Sequence, residues 1–309
     1  MNSENRKHKI KLWSGDGVYK GIITLAGLVI VSLLCIIFVL LLWRSVPAIK
    51  KFGLKFLVNS EWNPVEDQFG ALPFIIGTLI TSIGAIIISF PLSISTSLFI
   101  GEYAPRFLAK LISNMVDLLA AIPSVIYGMW GIFVLVPFIR KVEMFLYTKF
   151  SFIPIFNAPP YGVGILSAIV ILVIMILPYS ISITREVMKQ VPVSQKEGAY
   201  ALGSSRWTMV RRIVIPYCKN GIIGGTTLAL GRALGETMAV TMVIGNSTNI
   251  PKTLFDPANT IASLIANEFN EAMGEVYLSS LIYLGLILFT ISLVINTLGR
   301  IIVHKTRMK

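Results

Sequence analysis

Histidine and cysteine are nearly absent from this chain. His8 and His304 lie in the tails, and Cys35 and Cys218 lie in or at the edge of apolar runs. No metal-ligand spacing can be built from them, and neither cysteine suggests a disulfide. The dipeptide Gly-Lys never occurs. A P-loop needs it, because backbone amides and that lysine surround the nucleotide phosphates, so ATP hydrolysis is not expected of this chain. With no histidine near the apolar bulk, no nucleophilic triad can be assembled, and no catalytic residue is assigned. Charge is scarce and one-sided: 14% of residues, with 27 Lys and Arg against 15 Asp and Glu.

What is there is hydrophobic. Apolar side chains make up 55% of the 309 residues, and mean hydropathy is +0.77, well above a soluble globular protein. The expected fold is therefore all-α and integral to the lipid bilayer. A hydrocarbon layer of ~30 Å takes ~20 residues at 1.5 Å each. Six stretches qualify: 21–43, 72–100, 110–139, 161–183, 217–244 and 278–303. The first reads as a retained helix, since a signal peptide would have a shorter apolar core and a small-residue cleavage site.

Lysine and arginine set the orientation. With both termini cytoplasmic, the segments on that side hold 18 of them and the opposite side eight, with Arg232 left in the membrane. The net charge of +12 is then topogenic, which removes most of the case for nucleic acid. The tails are 1–20, basic, and 304–309; the loop 245–277 reads as acidic and external.

Within the fifth stretch, "GRALGETMAV" sets Arg232 and Glu236 among apolar and small residues. Four positions apart, they lie about 40° around one helix and share a face. An Arg at mid-bilayer costs ~2.5–3.5 kcal/mol on insertion scales. A structural salt bridge and a substrate path both explain such a pair. Arginine suits a tetrahedral oxyanion, because its planar fork donates two hydrogen bonds at once. Asp117 is a third acid near a span and reads as a cytoplasmic-interface or helix–helix contact, with a direct transport role as the other reading.

The longest cytoplasmic loop is "QVPVSQKEGAYALGSSRWTMVRRIVIP", 190–216. Ser194 and Glu197 form a capping box that predicts a helix from Gln195, and Gly203 is placed to end it. Ser204 or Ser205 can cap a second helix, which Pro216 should interrupt or redirect. Ala199, Ala201 and Leu202 offer a small apolar surface for docking.

Here a family resemblance appears. Glu197, Gly198, Ala199, Gly203 and the run Ile213 to Pro216 resemble the EAA loop of ABC importer permeases, with Gly198 where Ala is usual and Ile215 where Leu is usual. "FGALPFIIGTLITS" (69–82), "GEYAP" (101–105), "LLAAIPSVIYGMWGIFVLVP" (118–137) and "GRALGETMAVTMVIGN" (231–246) look like the PstC-type permeases of phosphate importers, more than the sister PstA type. The resemblance implies a transport domain over 69–303, five helices with the coupling loop 194–216, to which the N-terminal helix 21–43 is added. It implies a non-enzymatic subunit of the bacterial cytoplasmic membrane that pairs with a PstA-type permease. Two copies of a cytosolic ATPase would carry ATP and Mg, and an extracytoplasmic protein would deliver phosphate. Carried over by position, Glu197, Gly198, Ala199, Gly203, Ile213 and Pro216 belong to the ATPase-coupling loop, and Arg232 and Glu236 become candidates for the phosphate path. Sulfate or molybdate as substrate, and an ion-gradient-driven anion transporter, stand as the other readings.

Overall fold

Helix breaks, more than helices, decide what this chain can do. The computed structural model describes residues 14–307; most of the basic tail expected over 1–20 lies outside the described residues. The elements are α1 (Ser14–Phe52), α2 (Leu72–Leu98), α3 (Arg106–Ala120), α4 (Ser124–Trp130), α5 (Val136–Phe150), α6 (Ile165–Lys189), α7 (Val193–Ala201), α8 (Arg206–Met209), α9 (Ile215–Leu234), α10 (Met238–Val243), α11 (Ile261–Glu268) and α12 (Glu275–Arg307). Helices account for the regular structure throughout; the described residues form no strand beyond two isolated bridges. The all-α expectation holds.

Five helical stretches among the described residues are long and apolar enough to cross a bilayer: Gly17–Leu57, Leu72–Tyr103, Ser124–Phe150, Ile165–Lys189 and Glu275–Lys305. Four of them contain or largely cover expected spans. The third does not. The stretch 110–139 was expected as one helix, but it breaks at Ala121–Pro123, and the crossing helix is displaced to Ser124–Phe150. Pro123 has an extended backbone (φ −59°, ψ 141°) and starts α4. Its ring disfavours helical geometry in the residue before it, so α3 cannot run on. A π-turn over Gly131–Leu135 joins α4 to α5.

The fifth expected span, 217–244, is also interrupted. α9 ends at Leu234, and α10 begins at Met238. α9 is 20 residues long, yet Lys219, Asn220 and Arg232 dilute its apolar content, which keeps it out of the five.

α6 is the hub. It packs against α2, α3 and α9, and its Ile165, Ile171, Leu172 and Ile176 are fully buried. Small residues let backbones meet. A Cβ added to Gly77 of α2 would stand 2.1 Å from the carbonyl oxygen of Asn259. Beside it, the Thr78 hydroxyl accepts the amide of Ile261 at 2.9 Å and so fixes the start of α11. Ser97 donates to the Ile181 carbonyl at 3.1 Å, tying the other end of α2 to α6.

A second core is aromatic and sits where the loop after α1 meets α11 and α12. Trp62, Phe69, Phe74 and Tyr277 interlock, and the Glu268 carboxylate accepts Trp62 Nε1–H at 2.8 Å and the Tyr277 hydroxyl at 2.7 Å. α1 joins the bundle mainly through α12, with Phe38 against Phe289. Most of its remaining apolar surface is uncovered, as a lipid-facing helix requires.

Candidate functional site

Arg232 occupies the last turn of α9, where the partial negative charge of the helix end favours a cation. Its guanidinium carbon lies 5.4 Å from the centre of the Tyr179 ring. Such a contact stabilises by ~0.5–2 kcal/mol, more as water is excluded. Tyr179 stands near the middle of α6, well away from both ends of that helix. The rest of Arg232 is exposed on the surface of this chain. It faces neither the packed interior nor an acidic partner among the described residues.

Glu236 is elsewhere. The expectation of a shared helix face for Arg232 and Glu236 fails, because the helix ends between them. Gly235 closes α9, and Glu236 turns its carboxylate to the start of α10, where Oε1 accepts the amide of Ala239 at 3.2 Å. The physical reason is the break itself. A helix that restarts exposes first-turn amides with no intrahelical partner, and a carboxylate is the nearest acceptor. α10 is held against α4 at Gly128, where an added Cβ would meet Met242 Sδ at 2.5 Å.

The cytoplasmic hairpin forms as a helix, a turn and a second helix, with three changes from the sequence reading. α7 starts at Val193 with Pro192 as its cap and no side-chain cap bond, so the Ser194–Glu197 capping box is not used. The extended backbone of Pro192 already sets the helix start. Ala199 is not a docking surface: it is buried against the cluster of Met209, Val210 and Val214. Pro216 does not end the helix: a π-turn over Val210–Val214 leads straight into α9, and this wider turn just before the proline accommodates its ring and missing amide. Other features follow expectation. Gly203 has φ +75° and ends α7, and Ser205 caps α8 by accepting the amide of Thr208 at 3.3 Å. Glu197, Gly198 and Leu202 are exposed on the hairpin tip, as are Val193, Tyr200 and Trp207.

Two contacts that sequence could not indicate tie this hairpin to α2. Lys196 of α7 pairs with Glu102, just beyond α2, and both side chains are mostly buried. Arg206 stacks on Tyr103, 5.4 Å from the ring centre. Both partners lie in the "GEYAP" stretch. Asp117 is a bridge between α3 and α6. It accepts the Ser182 hydroxyl at 2.9 Å and Arg185 Nη2 at 3.3 Å. Desolvation raises its carboxyl pKa, but bonds from Ser182 and Arg185 and the charges of Arg185 and Lys189 outweigh that and hold it below its ordinary value. Residues 65 and 68 positions apart make these bonds, with no local pattern to announce them.

Comparison with known proteins gives a consistent result. Residues 93–308 match the family model described as "Binding-protein-dependent transport system inner membrane component". The phosphate transport system permease protein PstC of Mesorhizobium japonicum is 48% identical over 290 residues, covering 92% of this chain and 89% of that protein. The PstC protein of Haemophilus influenzae is 42% identical, covering 99% and 98%. Among solved structures, a bacterial ABC transporter for the acidic polysaccharide alginate superposes with a TM-score of 0.57 at 19% identity, covering 93% of this chain and 98% of that one. The MetNI methionine ABC transporter gives 0.54 at 15%, covering 74% and 91%. These last two speak for the fold alone.

Proposed function

Because the chain belongs to the binding-protein-dependent transport inner membrane components, and within them to the PstC-type phosphate permeases, we propose a mechanism in which Arg232 carries phosphate past mid-bilayer. The chain is a multi-pass permease subunit of an ATP-driven phosphate importer in the cytoplasmic membrane. The ATPase is a separate subunit, and an extracytoplasmic protein presents the substrate.

One observation carries the site assignment: Arg232 lies beside the middle of α6 yet is uncovered on this chain. Acyl chains cannot accept a bare guanidinium, so in the assembly that surface meets protein, water or an anion. A sister permease of PstA type packed across this face would enclose a path between the two subunits. The Arg232 fork then holds phosphate transiently, and Tyr179 keeps the side chain against α6. Glu236 acts through the fold: it caps α10 and thereby keeps the helix broken beside Arg232.

Energy enters through the hairpin. Glu197, Gly198 and Leu202 at its tip contact the ATPase, which binds ATP with Mg; this chain itself holds no nucleotide. Closure of two ATPase copies moves α7 and α8. The Lys196–Glu102 and Arg206–Tyr103 contacts pass that motion to α2, and α2 moves with α6. Both chain ends stand on the cytoplasmic side in this scheme, with α9 as the sixth crossing.

An ion-gradient transporter would have no use for such a hairpin linked to α2. Uptake of radiolabelled phosphate in a deletion strain complemented with this chain tests the reading. ATP-dependent uptake unaffected by excess sulfate is the expected result. Uptake displaced by sulfate would shift the substrate, and uptake independent of the ATPase would overturn the mechanism.

A further inference from the structure

Below Tyr179, the cytoplasmic half of α6 carries Ser182, Arg185, Glu186 and Lys189 on one broad side. Arg185 stands ~9 Å further along the helix axis than Tyr179 and about 120° around it, on the side that meets α3, at 1.5 Å and 100° per residue. At that level the Asp117 carboxylate accepts the Ser182 hydroxyl on one oxygen and lies 3.3 Å from Arg185 Nη2 through both. The two partners are held very differently. The Arg185 side chain is 11% exposed and the Asp117 side chain 53%. The donor is fixed in the protein, while the acceptor stands half in water.

A cavity of about 450 Å³ opens at this pair, lined by Lys110, Ser113, Asp117, Arg185 and Lys189 and reaching the Lys196–Glu102 ion pair at the coupling helix. Its donors are not used up. Lys110 makes no ion pair among the described residues. Arg185 Nε is buried without a hydrogen-bond partner, with the Glu186 carboxylate 3.9 Å away. Lys189 is held by Glu186 at 2.6 Å.

We propose that Arg185, Ser182 and Lys110 form a second oxyanion station on the cytoplasmic side of Arg232, and that Asp117 is its resident counter-anion. Phosphate descending from Arg232 displaces the Asp117 carboxylate from Arg185. When the carboxylate returns, it releases the substrate to the cytosol and refills the station behind it. A permanent charge on Arg185 thus never lacks an anion, and the substrate does not stay trapped on it. The station rests on the phosphate-import reading above. It differs from a plain α3–α6 tether, which would predict that removing the Asp117 charge weakens the fold and leaves anion binding unchanged.

The test uses the complete importer, with its partner permease and ATPase, carrying Arg232→Ala to silence the mid-membrane site. Equilibrium binding of radiolabelled inorganic phosphate is measured in phosphatidylcholine nanodiscs; phosphate held by the ATPase is common to all variants and cancels in the differences. Adding Asp117→Asn should tighten binding roughly tenfold, the effect of removing one competing charge at contact distance in a part-solvated site. Adding Arg185→Gln should abolish the increment, and Arg185→Lys should restore part of it. Asp117→Asn lies at the solvent-exposed side of the pair, so it keeps the test open if Arg185→Gln fails to assemble. Phosphate binding unmoved by Asp117→Asn overturns the station. Loss of binding when phosphatidic acid is added to the nanodiscs would assign the cavity to a lipid headgroup and overturn it too. Normal uptake by Arg232→Ala alone would instead count against the mid-membrane reading, so the two failures are distinguishable.

Discussion

The Arg232 guanidinium lies over the Tyr179 ring, 5.4 Å from its centre, across the contact between α9 and α6. Tyrosine offers the cation a π face without neutralising it. A carboxylate in that place would compete with any arriving anion, whereas a ring leaves the fork free to bind one.

Replacing Arg232 by Ala is therefore expected to abolish phosphate uptake while leaving the assembled importer intact. Arg232→Lys keeps the charge and loses the planar fork, so it should retain a small part of the rate. Uptake in whole cells and size-exclusion of the purified complex check both halves. Wild-type uptake by Arg232→Ala would remove the site assignment.

Glu236 separates two roles by chemistry. If it caps α10, Glu236→Gln keeps a side-chain oxygen for the Ala239 amide and should transport nearly as well as wild type. Glu236→Ala leaves that amide unsatisfied and should lower stability by about 0.5–2 kcal/mol, the usual range for a lost helix cap, with uptake falling alongside. Thermal unfolding in detergent and uptake are the measurements. A Gln variant that folds normally but cannot transport would show that the charge itself is needed.

The hairpin tip makes a contact prediction. A cysteine at Glu197 should crosslink to a cysteine placed in the ATPase groove in at least one nucleotide state. No crosslink in any state would count against the coupling role. Glu102→Gln removes the charge that anchors Lys196. It should leave that crosslink in place and reduce transport per ATP hydrolysed, read from uptake and phosphate release in proteoliposomes.

Gly77 tests the packing. A methyl group there would fall 2.1 Å from the Asn259 carbonyl oxygen, and α2 or the loop before α11 would have to move. Gly77→Ala should lower stability by roughly 1–3 kcal/mol, the range for overpacking a close contact, measured as a drop in melting temperature and in membrane expression. An unchanged melting temperature would mean the two backbones are not in contact.

Several features of this molecule were legible from its residues alone. The apolar runs 72–100 and 161–183 could cross lipid whatever lay beside them. The glycine at 203 could close a turn because it tolerates φ +75° at no steric cost. Such properties belong to one segment and its solvent, so periodicity, run length and turn chemistry suffice to read them. The wrong expectations concern ends and partners. Whether 110–139 would be one helix, where Glu236 would turn, and whether Ser194 or Pro192 would start α7 were each decided by backbone geometry at a helix end, which run length and periodicity do not report. Asp117 finding Arg185, and Lys196 finding Glu102, depended on helices distant in sequence being brought together. A helix's own periodicity specifies which face a side chain occupies, and nothing about what stands opposite; only the packing of α2, α3, α6 and α9 supplies that.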